Sequence, residues 1–588
     1  MSEKGSEQSS GWPALSIAEA HARLTAPGER FEMEQHTIRG VPLRVWKHAP
    51  PTLRDVFLNA RGYAARTALV YEADRTSYAG FARAVSVLAA ELRSQGLQKG
   101  DRVAIIMRNL PEWPVSFFAA ALCGAIVTPC NAWWTGPELR FALQDSGARF
   151  AIVDPERCER LTPHLAECPA LERLYVARSS ERQDVVLPVG LLQVILGPVA
   201  GWETLPEQPL PDVALAPEDD ATIFYTSGTT GTPKGALGTH RNACSNTLTT
   251  ACAQARAFLR RGEQPKLPGP DSPQRALLLA VPLFHVLGCM PWMVAGINNG
   301  SKLVLMRKWD PAHALALIQA ERITQAGGVP TLAWDLLAQP DRERFDLSSL
   351  DAINCGGAPA APELVRRLRE AFPQARPANG WGMTEVTSSY ASNNAEDYAA
   401  RPSSCGVAAP TNDWKIMSAD GSHELPIGEV GELWVKGPQV VKGYWNRPAE
   451  TAATFVEGWL KTGDLARLDE EGFGYVVDRS KDMLIRGGEN IHCVEVENVL
   501  FEHPDVLDAA LIGVPHETLG EEAVAIVQAK QASPALVDAL RALVGARLAP
   551  FKVPSHVVFW TEALPRNEAG KVLKNQLRRE VVAKLSAR

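Results

Sequence analysis

The sequence predicts an α/β protein in two unequal parts. The larger is an N-terminal domain of parallel sheets and helices with a β-rich subdomain. The smaller is an α+β C-terminal domain. Three observations carry this reading. First, 588 residues are too many for one hydrophobic core. Second, short apolar runs alternate with amphipathic stretches from about residue 65 to 360, the rhythm of a parallel sheet with helical crossovers. Third, the rhythm changes after about residue 400, where glycine turns separate short strands.

The apolar runs "DRVAIIM" (101–107), "ARFAIVD" (148–154), "ATIFYTS" (221–227), "ALLLAVPL" (276–283), "KLVLM" (302–306) and "DAINCGG" (351–357) read as buried strands. Between them, "FARAVSVLAAELRSQG" (81–96) reads as a helix closed by a glycine. The most apolar stretch, "FFAAALCGAIV" (117–127), is too short to span a bilayer and reads as a buried helix entering a strand. The segments 178–218 and 261–274 read as surface loops, rich in Pro, Gly and charge. Residues 428–445, "GEVGELWVKGPQVVKGYW", read as strands of the β-rich subdomain. The charged, glycine-rich "DRSKDMLIRGGEN" (478–490) reads as a linker. Beyond it, Val496, Val499 and Leu500 share one helical face ahead of a proline, and a module of about a hundred residues completes the chain.

Composition narrows the function. A net charge of −7 argues against a nucleic-acid binder. The ten cysteines form no CxxC pair and read as small buried residues of a cytoplasmic protein. The 12 histidines form no HExxH-like pair, so no structural metal is expected. Residues 1–10 are polar and read as a disordered start without a signal peptide.

One loop concentrates the chemistry. "YTSGTTGTPKGA" (225–236) carries Thr226, Ser227, Gly228, Thr229, Thr230, Gly231, Thr232 and Lys234 behind a strand. A kinase-type P-loop needs GxxxxGK[ST] and a helix directly after the lysine. Here Lys234 follows Pro233 and precedes Gly235, and the first good helix start is Thr239. The loop therefore joins two extended segments. Glycines let backbone N–H groups approach a phosphate, and the hydroxyls and Lys234 add donors and charge.

The loop resembles the signature of the acyl-adenylate-forming superfamily, closest to bacterial fatty-acyl and medium-chain acyl-CoA synthetases. Six further segments resemble that family's motifs in order: "VPLFHVLG" (281–288), "NGWGMTE" (379–385), "GELWVKGPQVVKGYW" (431–445), "GWLKTGDLA" (458–466), "DRSKDMLIRGGENI" (478–491) and "LPRNEAGKVLK" (564–574). The resemblance spans roughly residues 50 to 575 and divides the chain into an adenylate-forming domain from 1 to 478, with 1–50 an N-terminal extension of it, a hinge at 479–482 and a mobile C-terminal domain from 483 to 588.

The chemistry explains why such residues are needed. Moving AMP from ATP to a carboxylate gathers negative charge on the α-phosphate and the departing pyrophosphate, so cations and fixed donors must meet there. By resemblance, Lys571 reaches from the C-terminal domain to the α-phosphate and the acyl carboxylate, with Gly570 turning the backbone beside it. Lys574 reads as structural. Glu385 binds Mg²⁺, a hard ion that prefers oxygen, with Thr226 nearby, and Thr384 meets the α-phosphate. Gly357, Ala358, Pro359, Gly380, Trp381 and Gly382 form the adenine slot, although Trp381 reads equally as a core residue. Asp464 accepts from the ribose hydroxyls and Arg479 is a second ribose contact.

The resemblance also implies motion. Lys481 falls at the hinge, because adenylation and thioester formation need different groups in one space. Gly487 and Gly488 then border a pantetheine tunnel, or they simply make a turn. His285 borders the acyl carboxylate, or it is a satisfied structural histidine. Gly288, Met290, Trp292, Gly327, Gly328, Gly356 and Gly380 are the other acyl-pocket candidates. The expected activity is ATP-dependent activation of a hydrophobic carboxylic acid, fatty, alicyclic or aromatic, to acyl-AMP and then to a CoA thioester. The alternative acceptor is a separate carrier protein. The expected cofactors and substrates are ATP, Mg²⁺ and CoA, with no nucleic acid and no membrane span. A homodimer is left open.

Overall fold

The computed structural model describes residues 12–181, 185–226, 233–266, 271–479, 482–567 and 570–586. The polar start, Ser227 to Thr232 of the signature loop, and Lys481 lie outside these residues.

Among the described residues the strands form five sheets. Strands Arg102–Ile106, Ile126–Pro129, Phe150–Val153 and Arg173–Val176 pair in parallel within an eight-stranded sheet. A nine-stranded sheet holds Ala276–Leu279, Lys302–Leu305, Gln325–Gly328, Ala352–Cys355 and Arg376–Met383, again parallel. Their apolar runs are continuous because both faces are covered. Leu277, Leu279, Leu303 and Leu305 face a core shared with the eight-stranded sheet, whereas Ala276, Leu278 and Val304 face an outer core. That is the two-residue alternation of a strand. Helices Tyr78–Ser94 and Glu112–Leu122 contribute to the shared core.

The signature loop leaves strand Asp220–Thr226 and returns as strand Lys234–Thr239, paired antiparallel with Thr226 opposite Lys234. Thr239 then caps helix His240–Arg260, its hydroxyl accepting from the Asn242 N–H while the Asn242 side chain accepts from the Thr239 N–H. The two extended segments expected to flank the loop, and the helix expected after them, are thus present.

A third large group of strands, Asp413–Met417, Gly431–Lys436, Trp459–Leu468 and Gly474–Arg479, makes the β-rich region. The C-terminal part has its own sheet, centred on the long pair Val506–His516 and Gly520–Ala529. Helices Cys493–Leu500 and Pro534–Arg547 cover one face. Helix Lys574–Ser586 covers the other. Val496, Val499 and Leu500 are buried on the first of these helices, as their spacing predicts.

Two readings need correction. Segment 178–218 is not all loop: strand Val189–Leu191 extends the eight-stranded sheet. Segment 478–490 is not a free linker, because Leu484–Arg486 and Glu489–Ile491 form a hairpin. Within residues 12–50, which the sequence reading places in the N-terminal domain as an extension, helix Ile17–Leu24 packs with Phe31 and Trp46 against Leu248 and Cys252 of the long helix. All ten cysteines are buried and none forms a disulfide among the described residues. Among the described residues no helix is long and apolar enough to cross a membrane.

Candidate active site

A cleft of about 1160 Å³ opens at the carboxyl ends of the parallel strands of the nine-stranded sheet. Open α/β sheets bind ligands there, because the strands stop and the loops diverge. It gathers residues from distant parts of the chain: Thr226, Lys234, His285, Gly356, Gly357, Gly380, Trp381, Gly382, Thr384, Glu385, Arg479 and Lys571. An adjoining recess adds Ala358, Pro359 and Asp464.

Glu385 sits in a short turn after strand Arg376–Met383. It is only 6% exposed. The Tyr444 hydroxyl donates to Glu385 Oε1 at 2.8 Å, and the Lys234 ammonium lies 5.2 Å over the Tyr444 ring. Burial raises the Glu385 pKa, opposed chiefly by that hydrogen bond. A buried carboxylate with one oxygen so engaged is an apt site for a hard divalent cation, which would favour the ionised form.

The backbone just beyond is strained. Thr387 (φ 56°) and Ser388 (φ 85°) both adopt left-handed conformations without being glycine. Two neighbours hold them there. Asn246 of the long helix donates to the Thr387 carbonyl at 2.8 Å, and the Thr387 hydroxyl donates to the Gln439 carbonyl at 2.9 Å. Gly382 belongs to the same device. The pairing of Arg376–Met383 with Ser388–Asn394 shifts register between Trp381 and Gly382. A Cβ at Gly382 would lie 1.6 Å from the Ser388 carbonyl oxygen. No other residue fits this bulge. Sequence reading flagged Gly382 but had no signal for Thr387, Ser388 or Asn246, whose role depends on contacts far apart in the chain.

Trp381 is both a core residue and part of the cleft wall. Its ring meets Tyr390 edge-on at 5.6 Å in the core of the β-rich region, and it also lines the cleft. Its indole N–H donates to Asp464 Oδ2 at 2.8 Å. Arg479 Nε lies 2.9 Å from Asp464 Oδ1. The carboxylate is thus oriented from both sides and keeps further lone pairs to accept from a diol.

Lys571 enters the cleft from the C-terminal part. Its turn is braced: Lys571 N–H donates to Asn567 Oδ1 at 2.9 Å, and Arg566 donates to the Gly570 carbonyl at 2.7 Å while pairing with Asp508 at 2.6 Å. Gly570 (φ 72°) lies against the N-terminal domain, where an added Cβ would come within 2.7 Å of Val329 Cγ2. Lys571 Nζ is 3.6 Å from Asp482 Oδ2. Lys574, by contrast, pairs with Glu497 at 2.7 Å within the C-terminal part.

His285 is open to the cleft. Its Nδ1 accepts the Leu287 N–H at 3.3 Å, which leaves the proton on Nε2. Burial pushes its pKa down to about 4, so the ring is neutral at pH 7. The buried Asn109 braces the preceding segment, accepting from Leu283 N–H and donating to the Leu279 and Val281 carbonyls. Of the other acyl-pocket candidates, Trp292 and Gly328 line the cleft. Gly288, Met290 and Gly327 do not. Gly327 lies one residue behind, where a Cβ would fall 2.0 Å from the Asn354 carbonyl oxygen, so its glycine serves sheet packing. Gly487 and Gly488 form the exposed two-residue turn of the hairpin, with φ of 60° and 87°, and do not line the cleft.

Comparison with known proteins agrees with this geometry. The AMP-binding enzyme family model matches residues 56–445, and the AMP-binding enzyme C-terminal domain matches 495–571. A feruloyl-CoA synthase of Amycolatopsis sp is 36% identical over 520 residues, covering 87% of this chain and 95% of the relative. A long-chain-fatty-acid–CoA ligase of Bacillus subtilis is 32% identical over 548 residues, covering 90% and 94%. An anthranilate CoA ligase solved in complex with anthranoyl-AMP superposes with a TM-score of 0.79 at 26% identity, covering 91% of this chain and 98% of that one. The chain therefore belongs to the AMP-binding enzyme family, as an acyl-CoA synthetase that uses ATP and CoA.

Proposed function

We propose that the protein activates a largely apolar carboxylic acid in two steps at this one cleft. The acid attacks the α-phosphate of ATP, forming acyl-AMP and releasing pyrophosphate. The thiol of CoA then displaces AMP to give the thioester. The observation that carries this reading is the convergence of Lys571, from the C-terminal part, with Thr384, Glu385 and Arg479 at one cleft, Asp464 joining them from the adjoining recess.

In the first step Lys571 and Lys234 offset charge developing on the phosphates. Thr226, Thr384 and the signature loop orient them. Gly357, Ala358, Pro359, Gly380, Trp381 and Gly382 bound the adenine slot, and Asp464 with Arg479 holds the ribose. Glu385 and Thr226 would supply oxygen ligands to Mg²⁺, which when bound neutralises phosphate charge. Neutral His285 and Gly356 border the acyl carboxylate, and His285 Nε2–H can donate to it.

The second step needs the space that Lys571 fills. Rotation of residues 483–588 about 479–482, at Lys481, would withdraw Lys571 and bring the Gly487–Gly488 turn to the cleft to border the pantetheine arm. The apolar lining beside His285, with Phe284, Leu287 and Trp292, favours an apolar acyl portion.

Acid-dependent exchange of pyrophosphate into ATP, followed by acyl-CoA formation when CoA is added, is the expected result. Exchange without acyl-CoA, but with loading of an added carrier protein, would move the acceptor to the second reading. Absence of exchange across fatty, alicyclic and aromatic acids would overturn the activity.

A further inference from the structure

The cleft does not end at the acyl carboxylate. It continues between the long helix and the nine-stranded sheet and reaches the amino ends of the strands, where Arg275 and Arg376 line it. Arg376 begins strand Arg376–Met383 and Gly380 stands four residues along it, so the two positions are about 13 Å apart. The helix face from Thr250 to Arg261 follows the same path for about 16 Å.

The lining changes along the way. Near His285 it is apolar, with Phe284, Leu287 and Trp292. At the far end stand Arg261, Lys266, Arg275 and Arg376, against the acids Glu263 and Asp351. Glu263 is committed to Arg261 at 3.1 Å. Arg275 is half-buried, and its side chain makes one hydrogen bond among the described residues, from Nη1 to Gln254 Oε1 at 3.0 Å. No carboxylate of those residues pairs with it. A guanidinium has five N–H donors in a planar fork and no acceptor, so one facing an internal channel is suited to a bidentate anion.

We propose that the acid activated here is a long α,ω-type substrate: an apolar chain with a second carboxylate, or like anion, at its far end, held by Arg275 with Gln254 and drawn in by Arg376. This rests on the acid-activating reading above. It assigns Arg275 as a specificity-determining residue. The fork binds the distal anion, the apolar segment fills the channel, and chain length sets whether both ends are satisfied together. A shorter acid leaves the far end to water, and a monoacid of equal length places a methyl group against the guanidinium.

The test compares dodecanedioic acid with dodecanoic acid in pyrophosphate exchange, in the wild type and in Arg275→Gln. The wild type is expected to favour the diacid by about tenfold or more in kcat/KM, the scale of one charge-assisted contact. In Arg275→Gln the diacid-to-monoacid ratio should fall about tenfold, through KM for the diacid. Arg275→Lys should retain part of the ratio, since it keeps the charge and loses the fork. The surface variant Arg376→Gln tests the same end of the channel independently of any folding defect, and should lower the ratio severalfold. An unchanged ratio in Arg275→Gln and Arg376→Gln, or a wild-type preference for the monoacid, overturns the inference and leaves acid activation standing. No exchange with any acid removes the underlying activity and this inference with it.

Discussion

The C-terminal part presents two glycine turns that look alike in sequence and sit very differently. The turn at 567–571 presses Gly570 against Val329 and places Lys571 in the cleft. The hairpin turn at Gly487–Gly488 is exposed and contributes nothing to the cleft in this arrangement. Both glycines with close neighbours need their conformation: Gly570 has φ 72° and Gly487 has φ 60°. What differs is the surface each one meets. In this arrangement the cleft meets only the first of the two turns, which suits the phosphate-transfer step. That contrast motivates the proposed alternation.

Removing the charge tests the contrast most severely. Lys571→Ala should slow acyl-AMP formation by about a hundredfold to a thousandfold, the cost of losing one preorganised electrostatic contact. Thioester formation from supplied acyl-AMP should stay within severalfold of the wild type. Equal loss in both half-reactions, measured separately by pyrophosphate exchange and by acyl-CoA release, would mean that Lys571 serves both arrangements.

Gly570→Ala acts on fit rather than charge. Its Cβ would meet Val329 only when the turn is docked, and φ of 72° is costly for alanine. Exchange should drop about tenfold, on the scale of a penalty of 1 to 2 kcal/mol. Conversion of supplied acyl-AMP should be spared. If exchange is unaffected, the turn does not dock this way during catalysis.

A control comes from the stationary wall of the cleft. Folded His285 has a pKa near 4, against about 6.5 for an unfolded histidine. Above pH 6.5 both forms are neutral. As pH falls toward 4, the unfolded chain takes up a proton that the native ring refuses, so stability drops through that window. At pH 5 the loss is about 1 to 2 kcal/mol, discounted because the ring opens on the solvent-filled cleft. His285→Leu should therefore shrink the difference in Tm between pH 7 and pH 5. A difference of unchanged size would show that the ring is not held neutral.

The smallest effect belongs to the clasp between the two parts. Trp334, on helix Pro330–Leu337, stacks on Phe501 at 5.8 Å and 12°, and the Arg367 guanidinium lies 5.2 Å from the Trp334 ring centre. Phe501→Ala should release about 0.5 to 1.5 kcal/mol from the docked arrangement. Exchange would slow severalfold, with thioester formation unchanged or faster. Slower thioester formation instead would place the stack in both arrangements.

How much was legible beforehand differs by kind of information. Local signals were read well where the physics is local. The alternation of apolar runs marked the buried strands, and Thr239 marked the helix start because its cap is made by a residue three positions away. The strand Val189–Leu191 and the hairpin at 484–491 were missed, because short edge pieces carry little apolar pattern. Gly327 and Gly328 looked equivalent in sequence, and only the fold shows that Gly328 borders the cleft while Gly327 abuts the Asn354 carbonyl.

By itself, the sequence determined the alternation of strands and helices, the order of the motifs and the chemical types available for phosphate transfer, because these rest on periodicity and on side-chain identity. Tertiary structure alone decided that Asn246 and Gln439 hold the strained Thr387, that Arg566 and Asp508 brace the Lys571 turn, and that one channel joins His285 to Arg275. Those facts depend on which distant segments pack together, and contacts between residues hundreds of positions apart leave no periodic trace along a single chain.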